Sequence, residues 1–213
     1  MRRALLAVLA AGATIASVAA PARAATLSSD AAVTGHKVAK CLYVRRTADV
    51  TAALGPRSAA EFDRYYSALN RGPRCRDIGV KSDEVEGAAV IVPGDILRGM
   101  LAEQALGATR FRTLQPVQGG TDFERPWFAA TGRDRSVDEM AVCTVERDPA
   151  GVRMLIDAAP EGGAELEAVR ALSATLGACL PQGATLSANR QSLRAALADA
   201  LYQRATAPAL ASK

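Results

Sequence analysis

The sequence has few of the side chains on which most catalytic and metal sites depend. Its 213 residues include a single histidine, His36, and only 4 % aromatic residues. No nucleophile elbow, P-loop, dinucleotide-binding glycine motif or zinc-protease motif occurs in the chain. A lone histidine is a poor basis for a metal site, and we expect His36 to lie at the surface. The sequence therefore predicts no catalytic residue, no metal site and no cofactor.

The chain also lacks an excess of charge of one sign once its first residues are set aside. Arg2 and Arg3 precede an apolar run at 4–20, and Ala22 and Ala24 follow with the small-x-small spacing of a signal-peptidase site. We predict a signal peptide at 1–24 rather than a membrane anchor, because an alanine-rich run of about 17 residues is at the short limit for a span. Removing this segment leaves 23 basic and 22 acidic residues.

These features predict an exported protein, located in the periplasm or secreted. No transmembrane anchor is expected after signal cleavage, since no later stretch approaches spanning length. Nucleic acid is not an expected partner, because the balanced charge offers little to neutralise phosphates.

The four cysteines form no C-x-x-C pair, which disfavours a redox-active site. In an oxidising compartment an even number of cysteines indicates disulfides, and four cysteines allow three pairings. An internal repeat favours one of these pairings.

Two blocks of the sequence recur in order. A shift of 102 positions aligns Ala39, Cys41, Arg45, Ala48 and Val50 with Ala141, Cys143, Arg147, Ala150 and Val152. A shift of 96 aligns Gly87, Ala88, Leu97, Arg98, Leu101 and Ala102 with Gly183, Ala184, Leu193, Arg194, Leu197 and Ala198, and places Glu103 opposite Asp199. We predict a first unit at 33–106, a connecting segment at 107–135, a second unit at 136–204 and a C-terminal tail at 205–213.

The repeat predicts one disulfide inside each unit, Cys41–Cys75 and Cys143–Cys179. The sequence separations of 34 and 36 are nearly equal, as two copies of one design require. Each closure should stabilise its unit by about 3–4 kcal/mol in the chain-entropy model.

The apolar residues follow a helical period. Phe62, Tyr65, Tyr66 and Leu69 lie at i, i+3, i+4 and i+7. The stretch 140–145 has strand-like content, but the residues that follow Ser136 are typical of a helix start. We predict an all-α fold: two duplicated small helical bundles of about four helices each, each with one internal disulfide, packed together.

The connecting segment is rich in aromatic residues, with Phe111, Phe123, Trp127 and Phe128. A solvated linker does not carry so much apolar area. In one interpretation Trp127 and Phe128 pack in the seam between the units. In the other they form an exposed patch that docks a partner.

Four arginines recur in both units: Arg45 with Arg147, and Arg98 with Arg194. In one interpretation each guanidinium caps carbonyls or pairs with a carboxylate of its own unit. In the other they form two related sites that bind a carboxylate or a phosphate.

The phrase L-R-x-x-L-A-[DE], at 97–103 and again at 193–199, is similar to a group of uncharacterised secreted bacterial proteins with no assigned activity. The resemblance implies an exported location and a duplicated architecture.

Function is therefore predicted only by class. The first expectation is a non-enzymatic protein of the cell envelope that binds an envelope protein or component, or has a structural role. The alternative is a small hydrolase acting on envelope glycan through two carboxylates, with Asp95, Glu103, Asp138 and Glu139 as candidates and a raised carboxyl pKa in a cleft as the distinguishing sign. A third option is a carrier that holds its ligand between the two bundles.

Overall fold

The structure is a computed structural model that describes residues 28–55, 57–70, 75, 92–108, 114–186 and 189–207. Within these residues the chain forms eight α-helices and no strand, which confirms the all-α prediction. The helices are α1 Ser29–Arg45, α2 Thr47–Leu54, α3 Ala59–Asn70, α4 Gly94–Ala108, α5 Arg135–Arg147, α6 Pro149–Asp157, α7 Gly163–Ala178 and α8 Arg190–Thr206. A short 3-10 helix, Pro126–Ala130, lies between α4 and α5. The predicted signal peptide at 1–24 lies outside the described residues.

Polar side chains fix where several helices begin. The Ser28 hydroxyl accepts from the backbone N–H of Ala31 at α1, and the Asn189 carboxamide does the same for Ser192 at α8. At α6, Asp148 caps the first turn just before Pro149, whose missing N–H costs nothing at that position. The interactions satisfy donors that the helix itself leaves unpaired.

Helix α5 contains the stretch with strand-like content, and it is helical throughout. Its residues 140–146 are all buried, so apolar side chains are needed around most of the helix rather than along one stripe.

The two disulfides join the predicted cysteines. Cys41 of α1 is bonded to Cys75, and Cys143 of α5 is bonded to Cys179 at the end of α7. The predicted pairing is confirmed. None of the described helices is long and apolar enough to cross a membrane.

Helices α4 and α8 form the centre of the fold and make its most extensive helix–helix contact. At their crossing, a Cβ on Gly99 would collide with the backbone of Ala195. The absence of a side chain at Gly99 therefore lets the two backbones approach closely. Arg98 and Arg194 adjoin this crossing, so the charged residues of both helices are carried into the protein interior.

Candidate functional site

Arg98 is completely buried and spans the two central helices. Its Nε donates to Oδ2 of Asp199 at 2.7 Å. Its Nη1 and Nη2 donate to the carbonyl oxygens of Ala53 and Leu54, at 3.2 and 3.0 Å, at the end of α2. The guanidinium thus satisfies the last carbonyls of one helix and the carboxylate of another.

Arg194 is the corresponding residue of α8, and it is 3 % exposed. Its Nε and Nη2 donate to the two carboxylate oxygens of Glu103, at 2.8 and 2.9 Å. Nη1 donates to the carbonyl of Leu155 and Nη2 to that of Ile156, at 3.0 and 2.8 Å. Nη1 also donates to Oε1 of Glu165 at 3.0 Å. Arg194 is therefore held by two carboxylates and by the end of α6.

Each arginine caps carbonyls of its own predicted unit, and Arg194 also pairs with Glu165 of that unit. In addition, each pairs with a carboxylate of the other predicted unit, which neither interpretation anticipated. Arg98 pairs with Asp199, 101 residues later in the chain, and Arg194 pairs with Glu103, 91 residues earlier. The reason is that α4 packs against α8, so the nearest carboxylate lies on the other helix. Both guanidinium groups are occupied by protein acceptors and neither is an open fork for an anion.

Arg45 and Arg147 do not belong to the buried pair formed by Arg98 and Arg194. Both are exposed, in the last turns of α1 and α5. A cation at that position interacts favourably with the helix dipole. Their recurrence is explained by this local role.

A third arginine, Arg133, closes the cluster around Asp199. Its Nε donates to Oδ1 of Asp138 and its Nη2 to Oδ2 of Asp199, both at 2.7 Å. Its Nη1 donates to the carbonyl of Asp95 at 3.2 Å, and the Thr131 hydroxyl donates to the other oxygen of Asp138 at 2.6 Å. We call Arg98, Asp199, Arg133 and Asp138 the closed cluster.

Charges within the closed cluster balance each other. Burial alone would raise the pKa of Asp199, but the guanidinium groups of Arg98 and Arg133 hold it below its usual range. Burial raises the pKa of Asp138, and Arg133 opposes that shift. Arg133 could not be singled out from the sequence, because it lies in the connecting segment, outside the two repeated blocks.

His36 is not a surface residue, which corrects the prediction. Its side chain is 12 % exposed, and Nδ1 lies 3.4 Å from Oε2 of Glu103. Burial, together with the positive charge of Arg194, lowers the pKa of His36 to about 4. The imidazole is therefore neutral at pH 7.

Glu103 contacts both His36 and Arg194, and its carboxyl group has a raised pKa. Burial, together with the charge of Glu165, raises its pKa to about 7. The hydrogen bonds and the charge of Arg194 act in the opposite direction. Glu165 is itself bonded to Arg194 and lies 3.5 Å from Arg190. We call His36, Glu103, Arg194 and Glu165 the open cluster, since it lies beside a groove.

The groove has a volume of about 420 Å³ and lies between α1, the end of α4 and the connection from α6 to α7. His36, Glu103 and Arg194 line its polar part. Lys37 and Lys40 of α1 are exposed at its edge. The other lining residues are Val33, Gln104, Ile156, Asp157, Ala158, Ala159 and Pro160. The lining thus comes from both predicted units.

Of the four carboxylates named from the sequence, Glu103 is the one in the groove. Asp138 belongs to the closed cluster, and Asp95 takes part there through its backbone carbonyl. Glu139 accepts from Nε of Arg135 at 2.7 Å, within one helix turn. Among the residues that the structure describes, no group of three histidines, cysteines or carboxylates could hold a metal ion.

The aromatic pair of the connecting segment is packed against the core. Trp127 is 5 % exposed and meets Phe128 edge to face, with ring centroids 4.7 Å apart. Phe128 is partly buried against the same core. Trp127 is therefore part of the core and has little surface to offer a partner. The basic pair Arg110 and Arg112, and the acidic run at 83–86, lie outside the described residues.

Comparison with known proteins found no match to any family model, to any curated protein or to any solved structure.

Proposed function

We propose that the chain is an exported protein of two related helical units that binds an envelope component, without enzymatic activity, in the groove beside the open cluster. Support for export comes from the two disulfides, which are typical of oxidising compartments, and from the predicted signal sequence.

Corresponding contacts support the proposed duplication. The shift of 102 positions that aligns the first cysteines also carries the two carbonyl acceptors of Arg98 onto those of Arg194. The shift of 96 carries Arg98 onto Arg194 and Glu103 onto Asp199, and the two pairs are reciprocal. Chance similarity in an alanine-rich sequence would not be expected to reproduce hydrogen-bond partners in this way.

The observation that carries the binding proposal is the groove itself, with its buried polar cluster and exposed lysines. Small-molecule sites are usually preformed concavities of this size with a few well-placed polar groups. Since the lining residues come from both predicted units, the groove also fits the carrier that holds its ligand between them. We therefore assign ligand binding to the groove rather than to Trp127 and Phe128.

The alternative, a carboxylate-dependent hydrolase, is favoured by one observation. Glu103 has the raised pKa expected of a general acid in a cleft. However, both of its oxygens accept from Arg194, which stabilises the ionised carboxylate rather than the protonated form that a general acid needs. Asp157, the other carboxylate of the groove, pairs with Arg153 and has a side chain that is 57 % exposed. The geometry therefore favours binding over catalysis.

A site-specific crosslinking experiment tests the binding proposal. A photoreactive residue replaces Gln104 in the groove, and in a control it replaces Arg170, which is exposed on α7 and does not line the groove. The exported protein is irradiated in an expressing bacterium. We expect one defined adduct at position 104 and none at 170. Equal labelling at the two positions would contradict the proposal.

The hydrolase alternative has its own assay. Purified cell-wall glycan is incubated with the mature protein, and new reducing ends are counted. We expect no release above that of the Glu103→Gln variant. Release by the wild-type protein that is lost in this variant would replace the binding proposal with the catalytic one.

A further inference from the structure

The closed cluster and the open cluster differ at the position of Arg133. In the closed cluster, Arg133 bridges Asp138 and Asp199. The shifts of 102 and 96 positions carry these two carboxylates onto His36 and Glu103, which are again neighbours, at 3.4 Å. Both His36 and Glu103 line the groove.

The residue that aligns with Arg133 carries no charge. The shift of 102 carries Arg133 onto Ala31, which is part of helix α1. Arg133 precedes α5, whereas α1 is already helical from Ser29. A helical alanine cannot provide the group that an arginine in a connecting segment provides.

Among the described residues, the carboxylates at the open cluster and the neighbouring Glu161 pair with fewer guanidinium groups than there are carboxylates, although Lys37 and Lys40 also line the groove. Glu103, Glu165 and Glu161 face two guanidinium groups, those of Arg194 and Arg190. In the closed cluster, by contrast, two carboxylates face two guanidinium groups.

The edge of the groove has the opposite character. Lys37 and Lys40 are one helical turn apart on α1 and are exposed. Their ammonium groups are suited to a carboxylate at the outer end of a ligand, while the carboxylates of the open cluster are suited to a cation at its inner end.

Resting on the proposed function, we infer that the ligand is an amino acid or peptide terminus with a guanidinium or ammonium side chain and a free carboxylate. The side chain enters beside His36 and Glu103 and takes the part that Arg133 plays in the closed cluster. The carboxylate lies between Lys37 and Lys40. Asp199 shows that one carboxylate of this fold accepts from two guanidinium groups at once.

Calorimetric titration of the mature protein with three dipeptides tests the inference. The probes are alanyl-arginine, alanyl-citrulline, which keeps the shape without the charge, and alanyl-arginine amide, which lacks the carboxylate. We expect alanyl-arginine to bind and each of the other two to bind about tenfold more weakly, since each loses one charge-assisted contact. Equal binding of alanyl-citrulline would overturn the inference.

Two variants test whether alanyl-arginine binds in the groove. His36→Asp makes this position match Asp138, and we expect it to bind alanyl-arginine about tenfold more tightly because a second carboxylate faces the cation. Lys40→Ala should weaken alanyl-arginine and leave alanyl-arginine amide unchanged, with Arg170→Ala as a control that changes neither. Weaker binding by a folded His36→Asp protein would overturn the inference.

Failure of this inference is distinguishable from failure of the proposed function. If alanyl-arginine does not bind at millimolar concentration while position 104 still crosslinks to a defined species, the ligand class is wrong and the groove remains the site. If crosslinking at 104 is no different from that at 170, the proposed function is wrong, and the inference is overturned with it.

Discussion

The burial of His36 and of Glu103 predicts opposite effects of pH on the stability of the protein. Glu103 has a pKa of about 7 in the fold against an ordinary value of 4.5. Its contribution is fully present below pH 4.5 and is lost as the pH rises through 7. His36 has a pKa of about 4 against 6.5, so its contribution is present above pH 6.5 and is lost as the pH falls through 4.

The two contributions are similar in size and cancel over much of the acidic range. Each shift corresponds to about 3 kcal/mol, at roughly 1.4 kcal/mol for each pKa unit. Between pH 4.5 and 6.5 the stability contributed by His36 rises with pH, while that contributed by Glu103 falls. In the wild-type protein the two residues together therefore add little net pH dependence to the free energy of unfolding. Replacing either residue leaves the pH dependence of stability that the other contributes.

We therefore expect the His36→Gln variant to lose stability relative to wild type as the pH rises from about 4.5 toward 6.5, by about 3 kcal/mol. The Glu103→Gln variant should show the opposite trend, gaining relative to wild type over the same range. The assay is urea denaturation followed by circular dichroism at several pH values. Differences from wild type remove the contributions of all other titrating groups. Parallel profiles for the wild-type protein and the His36→Gln variant would refute the reasoning.

Three further predictions concern the fold. Arg98→Met should destabilise the protein by about 4 kcal/mol, because it leaves Asp199 buried with one guanidinium fewer, whereas loss of the exposed Arg153 pair should cost less than about 1 kcal/mol. Gly99→Ala should cost about 3 kcal/mol through collision with α8, while Gly107→Ala, which has open space around it, should stay within about 1 kcal/mol of wild type. Replacing both cysteines of the Cys143 disulfide by alanine should cost about 4 kcal/mol. Each loss is read from the midpoint of urea denaturation at pH 7.

The outcomes that contradict these predictions are specific. Equal losses for Arg98→Met and for the corresponding Arg153 variant would show that burial of the Asp199 pair has no energetic consequence. Equal stability of the two glycine variants would contradict the close approach of α4 to α8. A variant without the second disulfide that unfolds at the wild-type urea concentration would show that this bond does not restrict the unfolded chain.

Signals in the sequence were sufficient for the helices and the disulfides. Asp148 before Pro149 marks the start of α6, and Asn189 marks the start of α8, because capping depends on a few neighbouring residues. The pairing of Cys41 with Cys75 followed from the repeated spacing. The helix starts depend on a few neighbouring residues, whereas the cysteine pairing depends on a comparison of the two halves of the sequence.

The partners of the buried charges could not be predicted in the same way. Arg98 and Asp199 meet only because α4 crosses α8, and nothing in either helix alone specifies that crossing. His36 was expected at the surface because a lone histidine is a poor basis for a metal site. Its position follows from burial of the small residues Ala32 and Ala39 on the same helix, which brings α1 close to Glu103.

The most direct test of the open cluster uses the fact that His36 is the only histidine in the chain. Its ring proton resonances can be followed by NMR as the pH is lowered, without assignment of any other residue. The account predicts a single titration with a midpoint near pH 4, because the imidazole is buried beside Arg194. A midpoint near 6.5 would mean a solvated imidazole, and the cluster at the base of the groove would then not exist as described.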